Sequence, residues 1–97
     1  MTIDTATATI AAITYKPGWS FTVARINTDP HLVIGYPSTS PDHYTSEWLP
    51  MPLLSVRSMT TRRLVHWVFD WVRDIEARAA DAAFRYAGQT VDEIEGP

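Results

Sequence analysis

His66 and Asp70 stand four residues apart within the stretch Thr60 to Ala87, TTRRLVHWVFDWVRDIEARAADAAFRYA. On a helix that spacing puts an imidazole and a carboxylate on one face, where the acid could orient the ring as in a general-base pair. A nucleophile has no nominee. The chain has no Gly-x-Ser-x-Gly, no glycine-rich phosphate loop and no deaminase signature, and only four glycines. The pair therefore reads as a surface hydrogen bond, and no catalytic residue is assigned. His31, His43, His66 and Asp42 are metal ligands by type alone, because no His-x-x-x-His or His-Glu-x-x-His spacing occurs. With no cysteine there is no thiolate zinc site either. Neither metal nor cofactor is expected.

Binding chemistry is better represented. Arg62 and Arg63 fall in the first turn of the same stretch, where the helix dipole disfavours cations, so an anion or an acidic partner is one use for them. Trp67, Phe69 and Trp71 follow at once, and tryptophan and arginine are over-represented among interface hot spots. Arg62, Arg63, Trp67, Phe69 and Trp71 are the candidate partner- or ligand-binding residues.

A helix must hold these side chains. With Leu64 at zero and about 100° per residue, Val68, Ile75, Ala79, Ala82 and Tyr86 form one narrow seam. Val65, Val72 and Ala83 widen it on one side, and Trp71 then Trp67 on the other. His66, Asp70, Arg73, Asp74, Ala77 and Asp81 fall opposite. Counting Phe69, the apolar arc of the first half spans roughly 200°, about twice what a surface helix needs. Either a loop folds over Trp67 or Phe69, or another chain does. Phe84 breaks the polar side. Ser58 or Thr60 can cap the start, and Gly88 suits a left-handed C-cap. Asp74 with Arg78, and Asp81 with Arg85, make supporting pairs one turn apart.

The 97 residues suffice for one domain with one core, and 45% apolar residues place the chain among globular proteins. A net charge of −3 with scattered basic residues argues against nucleic acid. No run approaches the ~18 apolar residues of a membrane span, and no secretory signal is visible, so a cytoplasmic location is expected.

Along the chain, residues 1–8 alternate Thr and Ala after Ile3 and Asp4 and are expected to fray, with strand pairing from about 9 to 15. Lys16-Pro17-Gly18 reads as a turn. A clean alternation predicts a strand over 19–26, with Trp19, Phe21 and Val23 on one face. Asn27-Thr28-Asp29-Pro30 signals a tight turn into a third strand, 31–36. Residues 37–46 read as a polar loop, and 48–56, WLPMPLLSV, as an edge strand or an extended cover. The expected helix spans about 60–87, followed by an acidic tail, 89–97. The fold class expected is α+β: an antiparallel meander of three to four strands packed on one long C-terminal helix.

The segments Tyr15-Lys16-Pro17-Gly18-Trp19-Ser20-Phe21, Trp48-Leu49-Pro50, and Arg63-Leu64-Val65 leading to Phe84-Arg85-Tyr86-Ala87-Gly88 resemble small uncharacterised proteins of actinobacterial phages and prophages. In that family the helix carries a His-Glu pair and a further acid before its Phe-x-x-x-Gly ending, and a Pro-His follows. Here the matching stretch is Arg78-Ala79-Ala80-Asp81-Ala82-Ala83, and no Pro-His comes after Gly88. The resemblance implies a phage accessory protein and supplies no activity. The reading that results is a non-enzymatic protein that binds a host or phage protein and self-associates, as a homodimer through the Trp67 or Phe69 side of the helix. The alternatives are a binder of an anionic nucleotide and a structural subunit of a particle.

Overall fold

The computed structural model describes residues 1–37 and 44–95, and side chains as far as residue 81, Tyr44 excepted. The order of elements is α1 (Ile3–Ala11), β1 (Ser20–Ile26), β2 (Asp29–Pro37), β3 (Tyr44–Pro50), α2 (Leu53–Ser58) and α3 (Thr61–Glu95). The three strands form one antiparallel meander in the order β1-β2-β3. The fold is therefore α+β with a long C-terminal helix, as the alternation and the helical stripe predict.

Strand alternation decides what lies under the sheet. Phe21 pairs with Ile34, Val23 with Leu32, and Leu32 in turn with Leu49, so one face carries the large apolar side chains. Leu64, Val68, Val72 and Ile75 of α3 are buried with them, at the helical phase expected. The seam stops short of Ala79, which is exposed because the helix has run past the sheet. Thr60, not Ser58, caps α3: its hydroxyl accepts from the Arg63 backbone N–H at 3.2 Å. Asn27 takes a φ of 58°, the left-handed value that the first position of a two-residue hairpin loop requires.

Four expectations need correction. The first residues do not fray, and 9–15 is not a strand. Residues 3–11 form α1, whose Ala6 and Ile10 are fully buried against the core. Its threonines accept helical geometry because their hydroxyls find partners on the spot. Thr2 caps the start, accepting from the Thr5 N–H at 3.1 Å, while Thr7 and Thr9 donate back to the carbonyls of Ile3 and Thr5. The strand expected from 48 begins earlier, as β3 at Tyr44 within the expected loop over 37–46, and stops at Pro50. The expected edge strand over 48–56 is thus half strand and half helix. Pro52, with no N–H to offer, sits at the N-cap of α2, and its carbonyl accepts from Val56 N–H at 2.8 Å. Finally, α3 does not stop at Gly88 but continues to Glu95, so the expected tail over 89–97 is helical in its larger part. Asp42 and His43, and the side chains of Ala82, Ala83, Phe84, Arg85 and Tyr86, lie outside what is described.

Candidate interaction surfaces

The wide apolar arc of α3 is covered in part from within the chain. On one side the loop after α1 folds over Phe69. Tyr15 meets the Phe69 ring edge-on at 5.4 Å between centroids and Trp19 at 5.4 Å, while Trp19 stacks on Tyr36 at 5.3 Å. Phe21 reaches Phe69 from below at 6.2 Å. On the other side α2 and Met59 lie beside Trp67. Trp67, Phe69 and Trp71 are all half-buried against the core. The Phe69 side of the arc is thus taken by the Tyr15 loop, whereas Trp67 keeps an open groove toward α2.

The Tyr15 loop is pinned by charge as well as by rings. Tyr15 Oη donates to Glu76, and Lys16 Nζ lies 2.8 Å from Glu76 Oε2. The hydrogen bond from Lys16, then that from Tyr15, lowers the Glu76 pKa from its ordinary value. The bond to Glu76 likewise raises that of Lys16. A lowered carboxylate stabilises the fold above its unfolded pKa, and the benefit is lost as pH falls through the folded value. A raised lysine stabilises below its unfolded pKa and loses the benefit as pH climbs. A gap in Tm between wild type and Glu76→Gln should thus hold from about pH 6 to about pH 9 and close by about pH 2. Thermal melts across that range check it, and a gap that persists in acid would show that Glu76 acts by shape and not charge.

The other polar contacts are structural by their partners. Asp70 bonds Arg73 at 2.6 Å rather than His66, so the expected imidazole–carboxylate pair is not formed. Arg78 bridges Asp74 on its own helix and Glu47 on β3, each at 3.1 Å. Glu47 also accepts from Tyr36 Oη at 3.5 Å, whose pKa burial and the Glu47 charge push upward. Among the described residues no three His, Asp or Glu converge, and no helix is long and apolar enough to cross a membrane.

Among the described residues two surfaces remain open. The first is the face of the sheet turned away from α1 and α3. Pairing sets its side chains in rows: Ser20–Gly35–Ser46, Thr22–Val33–Trp48 and Ala24–His31–Pro50. None of these nine positions is Lys, Arg, Asp or Glu. Trp48 is 46% exposed there and donates from Nε1 to Ser46 Oγ at 3.3 Å, while Ile26 is 45% exposed at the hairpin end. Gly35 keeps the face flat, since a Cβ at that position would come within 2.5 Å of Ser20 Oγ. Strand spacing alone carries this signal in the sequence, through Thr22, Ala24, Val33 and Trp48.

The second surface is the α2 corner. A groove of about 350 Å³ runs between α2 and the start of α3, lined by Pro52, Ser55, Ser58, Met59, Arg63 and Trp67. Another, of about 560 Å³, lies on the α1 side of α2 and includes Ile3, Leu53 and Arg57. Of the five candidate residues, Arg63 and Trp67 thus share one groove, with Arg62 exposed beside them, whereas Phe69 lies under Tyr15 and Trp71 against the core. Sequence reasoning missed the contribution of α2, because its leucines read as a continued strand. No family model, no curated protein and no solved structure matches this chain.

Proposed function

We propose that the chain is a non-enzymatic, phage-type accessory protein that works by protein–protein contact, and that it pairs with a second copy through the open face of the sheet. The observation that carries this is the row Thr22–Val33–Trp48 at the centre of a flat face whose one acid is Asp29, opposite Ile26 at the hairpin end. Face-to-face packing of the three uncharged rows needs no opposing charges, and Asp29 at the hairpin end stays at the rim in solvent. Strand dimensions give a footprint of about 300 Å² per copy, so a pair buries roughly 600 Å², below the size of stable specific interfaces. The pair is accordingly expected to be weak and reversible. The likeness of the short motifs to actinobacterial phage proteins supports the accessory role, and the absence of a nominated nucleophile supports the non-enzymatic one.

Light scattering from about 5 to about 200 µM should show the mean mass rising above 10.9 kDa toward twice that value. Trp48→Glu should hold the mass at one chain without lowering Tm, since the indole is half in solvent. A wild type that scatters as one chain at about 200 µM would overturn the pairing.

A further inference from the structure

We propose that the α2 corner docks an acidic segment of a partner protein, with an apolar side chain of that segment seated in the groove beside Trp67. Charge carries the choice. Between Glu47 and Asp70 the sequence holds no acid at all, yet it holds Arg57, Arg62 and Arg63. Elsewhere the described cations are matched: Lys16 to Glu76, Arg73 to Asp70, Arg78 to Glu47 and Asp74, and Arg25 to the Thr28 carbonyl. Among the described residues, Arg57, Arg62 and Arg63 are the arginines whose guanidinium groups meet neither acid nor carbonyl. A chain of net charge −3 therefore turns a compact positive pole outward at one corner.

Shape and apolar surface agree with a polypeptide occupant. Leu54 is 83% exposed and Leu53 43% exposed on the six-residue α2, while Trp67 and Met59 wall the neighbouring groove half-buried. Arg63 lines the groove on one side of α2, and Arg57 lines the groove on the other. A single phosphate cannot serve both sides of a helix, whereas an extended segment crossing α2 can meet both arginines and cover Leu54 on the way. Arginine clusters beside an aromatic wall recognise acidic motifs by charge-assisted hydrogen bonds and take their anchor by burial.

The site deepens the reading of the chain as an interaction protein and is independent of the sheet-face pair, so it is tested in both wild type and the Trp48→Glu variant. The probe is a fluorescein-labelled octapeptide, Asp-Glu-Asp-Leu-Phe-Glu-Asp-Glu, followed by anisotropy. Its binding should weaken by roughly tenfold between about 50 and about 300 mM salt. Replacing Arg57, Arg62 and Arg63 with glutamine should remove most of that salt dependence at unchanged Tm. Met59→Glu, which puts an acid into the groove wall, should weaken binding further. A lysine-for-acid version of the peptide should not bind. Equal binding of the acidic and basic peptides, or unaltered binding by the glutamine variant, would overturn the proposal. So would displacement of the peptide by AMP or inorganic phosphate at matching concentrations, which would make the corner a small-anion site. Peptide binding by a protein that scatters as one chain would sink the pairing and leave this site standing.

Discussion

Truncating Ile75 to alanine is expected to lower stability by about 2–5 kcal/mol, because three carbons leave a close-packed site whose surroundings relax only in part. Ile75 is 2% exposed and belongs to the same buried cluster as Phe21, Leu32, Ile34 and Val72. For a chain of this size the whole stability is of order 5–15 kcal/mol, so the variant should melt far lower or fail to fold. Its neighbour Asp74 points to solvent and pairs with Arg78 across one turn. Asp74→Ala should cost no more than about 0.5 kcal/mol. Chemical denaturation of the two variants side by side checks the phase of α3, and equal midpoints would mean the phase is wrong.

Ile10→Ala should be comparably damaging, again about 2–5 kcal/mol. Ile10 is fully buried, and α1 lies against β1, α2 and α3. A frayed N-terminal segment would make the same substitution silent. Limited proteolysis gives a second readout: cleavage between residues 3 and 11 should be slow in wild type and fast in the variant. Unchanged melting together with rapid cleavage of the wild type would place α1 off the core.

These two sites also show what the sequence could and could not convey. Ile75 was legible because α3 repeats its apolar residues at helical spacing over many turns. The strands around Phe21 and Leu32 were legible through alternation. Ile10 was not, although its pattern exists: Ile3, Ala6, Ile10 and Ile13 recur at spacings of three, four and three. Threonine's preference for strands and the small burial of alanine masked that stripe. The missing information was tertiary, namely that α3 and β1 supply a surface for so short a helix. The α2 corner was hidden for the opposite reason. Leu49, Met51 and Leu53 keep a strand's alternation across Pro50 and Pro52, while the chain turns and Leu53 goes outward. The excess width of α3 near Trp67 and Phe69 was readable, but periodicity along one helix says nothing about which segment covers it. Arg63 and Trp67 met in one groove because four residues make a helical turn, whereas Phe69 and Trp71 face other neighbours.

The length of α3 has a hydrodynamic consequence. Leu64 to Ile75 lie under the sheet, yet the helix runs on to Glu95, and Ala77 to Asp81 are already exposed. The result is a particle of 60 × 24 × 22 Å with a radius of gyration of 17.0 Å. A compact chain of this size measures about 13 Å. A rod-like monomer drags more than a sphere of equal mass, so gel filtration against globular standards will overstate its size and can imitate a dimer. Tumbling about the long axis will be faster than end over end, giving amides in α3 and in the sheet different relaxation rates. A shape-independent mass, from scattering or sedimentation equilibrium, is therefore the measurement that separates one elongated chain from two.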